Sequence, residues 1–396
     1  MRSLRWLVLG VLLAGCEQEL TVPGHCPEFC PSGQPKVVEI FLPATVSSDS
    51  SFFGYLGYSE VPALLVSDGL PAGEARSWYR FFSVPDSILV QDTLRPYTVD
   101  SIAVILTLIA RDSTKKGLVF DLYRIPVTTD TTTSFEALNG ELTPASWIDS
   151  LPVPDSVQRG SVRRVFAGES LDRFVIPPSD SGKHALGIRV RGPGPTGARI
   201  SSLASSTGTA SFVTYARVAV ADTALRKHTL SQTPEAAGFV RTSNGGQDPD
   251  LLYVGDLPAA RTILRFELPA VVRDSGTLLR VTLELQPARP MAGLANDAAS
   301  LEVRGVDKDL GAKSTPLFAR VGVVDLPEGS SATVSVDVIG IVDLWTLPQP
   351  PASLLYVGLR PEGGSFHRPV FHSTRSGGGA PQLRITYLVP APLEKP

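Results

Sequence analysis

At 396 residues the chain is roughly two to three times a typical domain, so more than one domain is expected. Hydrophobic residues at 43% and charged ones at 19% allow buried cores and exclude a disordered chain, while 35 Gly and 34 Pro favour turns and short strands over long helices. With 36 Lys and Arg against 39 Asp and Glu the formal charge is −3, without the basic excess that a nucleic-acid binder needs.

The chain opens with Arg2 and Arg5, followed by an apolar-leaning stretch from Trp6 to Gly15. That stretch is too short to span a bilayer and has the length of a signal-peptide core. Leu13-Ala14-Gly15-Cys16 resembles the lipobox of bacterial lipoproteins. The resemblance implies removal of residues 1–15, a diacylglycerol thioether on the Cys16 sulfur and acylation of the new amino group. Several acyl chains on one cysteine hold a bilayer far more firmly than one myristoyl chain does. An ordinary secretory peptide ending by chance at a cysteine is the plainer alternative. Glu17, rather than Asp, leans the protein toward the outer membrane over the inner one. Residues 16–35 then form a lipidated tether. Within it, Cys26 and Cys30 are two remaining cysteines in an oxidising compartment, and a short structural disulfide is expected.

Beyond the tether the chain repeats itself. Arg76-Ser77-Trp78-Tyr79-Arg80-Phe81 matches Arg261-Thr262-Ile263-Leu264-Arg265-Phe266, each preceded by Leu-Pro-Ala. Val165, Asp172, Phe174, Gly187 and Ile188 fall opposite Val336, Asp343, Trp345, Gly358 and Leu359 without a gap, and Val213-Thr214-Tyr215 answers Ile385-Thr386-Tyr387. The matches predict a tandem duplication, with extra residues in the first copy within the Thr-, Ser- and Pro-rich stretch 126–156, read as a long loop. Period-2 patterning in Leu279–Leu285, Leu301–Val306 and Thr333–Asp337, with Gly, Asn and Asp turns between, predicts strands. The expected fold is all-β: two tandem, jelly-roll-like β-sandwiches of about 160–185 residues each. The expected boundaries are copy one at 36–220, a linker at 221–235, copy two at 236–390 and a tail at 391–396. Copy two should fold as an isolated fragment 232–390. One short helix is expected in copy two, capped by Asp337, with Val338, Ile341, Val342 and Trp345 on one stripe.

Leu252-Tyr253-Val254-Gly255, Arg261 to Phe266, Val336-Asp337-Val338 with Trp345, Phe371-His372-Ser373 and Pro381 to Tyr387 together resemble the DNRLRE-type β-sandwich domains. These are relatives of carbohydrate-binding modules on bacterial surface and secreted proteins. The resemblance covers most of residues 236–390, reaches copy one only through copy two, and lacks the eponymous motif. It implies the fold more than the ligand.

Motifs for chemistry are sparse. There is no nucleophile elbow, no zinc-protease helix and no phosphate loop, so a non-catalytic protein is expected. Ser365 and His367 are too close in sequence to suggest a triad by themselves. The loop Asn244 to Asp250 concentrates oxygen donors, and Asp248 and Asp250 are candidate ligands for a structural calcium, the one cofactor considered. A glycan needs flat aromatic faces beside hydrogen-bonding groups. Tyr55, Tyr58 and Trp147 are the aromatics nominated for that task, which favours copy one. The expected protein is a lipid-anchored envelope component that binds a polysaccharide. The alternative is a structural or assembly component that contacts other proteins.

Overall fold

The computed structural model describes residues 35–390, except 46–48, 54–60, 72, 222–223, 243–247, 256–258, 296 and 298. Cys16, Cys26, Cys30, Tyr55 and Tyr58 therefore lie outside the described residues. Strands account for 51% and helices for 10%, so the chain is all-β.

Two strands open the chain, β1 (Lys36–Pro43) and β2 (Ser50–Phe53). The first core follows: β3 (Ala63–Asp68), β4 (Ala75–Phe81), β5 (Ile88–Val90), β6 (Thr93–Arg95), β7 (Tyr97–Arg111), β8 (Val119–Arg124), β9 (Trp147–Pro152), β10 (Gly160–Ala167), β11 (Ala185–Arg191), β12 (Thr196–Ser201) and β13 (Ser211–Ala221). A second pair comes next, β14 (Ala224–Gln232) and β15 (Pro234–Arg241). The second core completes the chain: β16 (Leu251–Tyr253), β17 (Ala260–Arg265), β18 (Thr277–Leu285), β19 (Ser300–Val306), β20 (Pro316–Asp325), β21 (Val334–Asp337), β22 (Ala352–Arg360), β23 (Val370–His372) and β24 (Gln382–Val389).

The duplication is visible strand by strand. In the second core, β1-β24-β18-β21 forms one sheet and β2-β17-β22-β19-β20 the other. The first core repeats both orders as β14-β13-β7-β10 and β15-β4-β11-β8-β9. In copy one, β12 and β3 bridge the two halves into a single curled sheet, whereas their counterparts β23 and β16 form a separate ladder. Each copy buries its own apolar cluster. Phe81, Leu106, Phe120, Leu186 and Phe212 belong to the first, and Leu264, Val281, Val303, Leu355 and Ile385 to the second.

The flanking strands do not follow the sequence order. β1 pairs with β24 over its full length, from Lys36 opposite Val389 to Pro43 opposite Gln382, and β2 pairs with β17. Both belong to copy two. β14 pairs with β13 and β15 with β4, which places them in copy one. The boundaries 36–220, 221–235 and 236–390 therefore need correction. Copy one is built from residues 61–241, and copy two from 36–53 joined to 251–390. The stretch read as a linker is β14 and the start of β15. The physical reason lies in chain connectivity. Only residues 222 and 223 separate β13 from β14, and so short a connection pairs a strand with its immediate predecessor. Copy two is then left one strand pair short, and the start of the chain supplies it.

The alternation along β1 fits that slot. Val38, Ile40 and Leu42 pack against copy two's core, while Val37, Glu39 and Phe41 face outward. Beyond β1, Ala44 is buried and Asp49 is sealed. The Asp49 carboxylate accepts the Thr374 N–H at 2.8 Å, the Thr374 hydroxyl at 2.9 Å and Arg375 Nη1 at 2.7 Å. This charge-assisted knot ties the N-terminal segment to copy two at a second point.

Two other expectations change. The stretch 126–156 is not a bare loop: it holds a helix, α1 (Phe135–Glu141), and β9. Ser134 caps α1 by accepting the Ala137 N–H, and buried Leu138 packs in one cluster with Trp78. The expected helix of copy two is present as one turn, Ile339–Val342, continued by a 3₁₀ turn to Thr346. Its backbone cap is Val338, while the Asp337 carboxylate accepts the Ile339 N–H at 3.0 Å. Trp345 is buried and lies against Phe266 with ring centroids 6.4 Å apart. Phe174, its match, is buried against Phe166 and Phe212.

The copies also share a buried junction. Leu294 and Phe366 of copy two belong to copy one's apolar cluster. Arg199 Nη1 reaches Asp297 Oδ1 across it at 2.6 Å.

Candidate functional site

A cleft of about 570 Å³ opens at the end of copy one where Phe174 sits. Residues 83–86 and the first residues of β7 form one wall. The turn Ser181–Gly182 and His184 form the other, with Thr214 of β13 below. The first wall belongs to copy one alone. Fifteen residues separate β4 from β7 and carry the hairpin β5–β6, whereas eleven separate β17 from β18 and carry a short helix, α2 (Ala270–Asp274).

The walls are held by backbone contacts. The Val84 N–H donates to the Gly182 carbonyl at 2.9 Å, and Gly182 has φ +78°. A side chain at residue 182 would bring a Cβ within 3.1 Å of the Val84 carbonyl, so both the conformation and the approach call for glycine. The Tyr97 hydroxyl donates to the Pro85 carbonyl at 2.7 Å, which fixes the ring at the cleft wall. Burial, then the nearby Asp86 carboxylate, push the Tyr97 phenol up, so it stays protonated.

His184 stacks on Phe212 at 4.1 Å between centroids and meets Phe174 edge-on. Burial pushes the imidazole down to about 4. It is therefore neutral near pH 7, with one donor and one acceptor nitrogen. Tyr97, Phe174, His184, Thr214 and Asp86 line the cleft; Phe174 and Thr214 are buried at its floor, Tyr97 and His184 are half-buried and Asp86 is exposed. The sequence nominates none of these residues for binding, and marks Phe174 only as the match of Trp345. They come from five separate segments, and no local motif joins them.

The nominated residues lie elsewhere. Trp147 begins β9 with 36% of its surface exposed, and the Arg173 guanidinium covers its ring at 5.0 Å. Arg173 also donates to the Ile148 carbonyl, so that cover is fixed. Asp248 Oδ1 accepts the Asp250 N–H at 2.9 Å in a local turn, and Arg375 Nε stands 3.9 Å from Asp250 Oδ1. Arg375 thus supplies positive charge beside the carboxylates of Asp49 and Asp250. Among the described residues, no group of three or more His, Cys, Asp or Glu side chains is placed to hold one metal ion.

Ser365 Oγ and His367 Nδ1 are 3.1 Å apart, and both residues are buried at the junction between the copies. Asp343, the match of Asp172, pairs with Arg320 at 3.0 Å. Among the described residues, no helix is long and apolar enough to cross a membrane. No family model matches the chain, and no curated protein or solved structure does either.

Proposed function

We propose that the protein is a lipid-anchored, non-catalytic component of the bacterial envelope whose first β-sandwich recognises a glycan. The observation that carries this reading is the copy-one cleft. Its size suits one or two sugar rings, and its lining sets the half-exposed Tyr97 ring beside the polar groups of His184 and Asp86. A pyranose stacks its apolar face on an aromatic ring and needs donors and acceptors for its hydroxyls. The reading moves the binding site from Tyr55, Tyr58 and Trp147 to the cleft and keeps it in copy one. The lipobox at Cys16 supports the anchor, and the resemblance to DNRLRE-type domains supports a module of the carbohydrate-binding kind.

The test is a glycan array on the acylated full chain in detergent, followed by titration of the best ligand. Tyr97→Ala should weaken binding about tenfold, the loss expected for one aromatic contact. An array without binding, or an affinity unchanged by Tyr97→Ala, overturns the reading. Cys16→Ala should release the protein from membranes, and retention of that variant in the membrane pellet would contradict the anchor.

A second reading, contact with partner proteins, draws support from β20. This strand ends its sheet and exposes Phe318 at 83%, with Val321 and Val323 also exposed. Exposed apolar residues on an edge strand favour a protein partner.

A further inference from the structure

The junction between the copies contains a second cleft, of about 460 Å³, unrelated to the first. Arg111, Ser113, Gln158, Arg159 and Arg199 from copy one line it, together with Asp297 from copy two. Three arginines and one aspartate thus line it.

The polar groups there are unevenly satisfied. Arg111 is buried and spends its nitrogens on the carbonyls of Asp112, Lys115 and Pro154, and Asp155 Oδ1 stands 3.8 Å from its Nη2. Arg159 donates from Nε to the Ile109 carbonyl at 3.0 Å, and its side chain is exposed at the mouth. Arg199 and Asp297 meet through a single bond between Nη1 and Oδ1 at 2.6 Å, although their side chains are only 8% and 4% exposed. Arg199 Nε and Asp297 Oδ2 have no hydrogen-bond partner. A buried pair of this kind normally closes as a two-point fork, because a buried donor or acceptor without a partner is costly. One cationic donor and one anionic acceptor are thus left buried without partners in two residues that line a cleft with excess positive charge.

We propose that this junction cleft binds a small organic oxyanion carrying a hydroxyl group next to its charge. The oxyanion, a carboxylate or a phosphate, would take Arg159 and Arg199 Nε. The hydroxyl would donate to Asp297 Oδ2. An anion without a hydroxyl leaves Asp297 unsatisfied and faces its charge, and a neutral polyol leaves the guanidinium groups unsatisfied. Because Asp297 comes from copy two and the arginines from copy one, the ligand would also clamp the two copies together.

Calorimetric titration of the full chain in detergent with glycerate, glycerol 3-phosphate and glycerol tests this. These three share a carbon skeleton and differ in charge, so the first two distinguish a carboxylate source from a phosphate one. Acetate and sulfate serve as anions without a hydroxyl. At least one charged glycerol derivative should bind, about tenfold more tightly than glycerol and than its hydroxyl-free anion. Arg159→Gln, at the exposed mouth, should fold normally and weaken that binding about tenfold. Tyr97→Ala should leave it unchanged, which separates this site from the copy-one cleft. Absence of binding at millimolar concentration, equal binding of glycerol, no effect of Arg159→Gln, or loss of binding in Tyr97→Ala would each overturn the proposal.

Discussion

Copy one fills its flanking strand positions with β14 and β15, which directly follow its core. Copy two fills the same positions with β1 and β2, which lie at the opposite end of the chain. The sheets around them have the same strand order. A slot in a duplicated fold is thus filled by whichever strand connectivity brings to it, and a chain of two copies closes by returning its first strands to its last copy. One consequence is local. Lys36 stands opposite Val389, so the start of β1 and the end of β24 lie side by side in copy two.

Deleting residues 36–53 should damage copy two most severely and spare copy one. Copy two would lose the packing of Val38, Ile40 and Leu42, and burying three such side chains contributes on the order of 5 kcal/mol. That is a large part of a domain's stability, so copy two should lose its cooperative unfolding transition. Amide exchange would locate the damage: protection should vanish in β17, β18 and β24 and persist in β7 and β13. Fragment 232–390, expected from the sequence to fold alone, should fail for the same reason. Retained protection in β24 of the deleted chain would show that β1 is dispensable there.

Trp345→Ala acts within copy two alone. It removes a buried aromatic ring and should cost about 3–5 kcal/mol. Trp345→Phe should cost clearly less, since Trp345 Nε1 makes no hydrogen bond that the smaller ring would forfeit. Thermal melts of the full chain compare the two variants, and equal losses would imply a polar role for the indole.

His184 makes the stability of copy one depend on pH. Its folded value of about 4 lies below the ordinary 6.5, so the folded state favours the neutral ring. The associated stability is fully present above pH 6.5 and is lost as pH falls toward 4, by about 3 kcal/mol at most. In His184→Phe, copy one should lose much of that acid sensitivity while copy two's is unchanged. An identical pH profile for wild type and variant would mean that the imidazole is solvated in the folded state.

How much of this was legible in the sequence differs by region. The core strands announced the duplication because both copies must bury the same positions, as Phe81 and Phe266 or Phe174 and Trp345 do. The burial of Trp345 was legible because it ends an apolar stripe of helical spacing. The flanking strands gave no such signal. Lys-Val-Val-Glu-Ile-Phe-Leu-Pro and Ala-Leu-Arg-Lys-His-Thr-Leu-Ser-Gln share little, since an edge strand buries only one face. Alternation identifies a strand but carries no information about its partner. α1 did have a local signal, Ser134 followed by Phe135 and Leu138, which the surrounding Thr, Asp and Pro residues obscured. The cleft of Tyr97 and His184 arises from an added hairpin and a distant turn, and only the folded chain brings them together.

The strand exchange itself can be read by disulfide trapping in a chain whose native cysteines are replaced by serine. Val37 is the register partner of Leu388 in β24. Without the exchange it would instead face Ala216, which follows Val213-Thr214-Tyr215 as Leu388 follows Ile385-Thr386-Tyr387. Register partners in antiparallel strands lie within disulfide reach. The double variant Val37→Cys with Leu388→Cys should oxidise to an intramolecular disulfide, and Val37→Cys with Ala216→Cys should remain reduced. The opposite pattern would show that β1 belongs to copy one and would contradict the exchange.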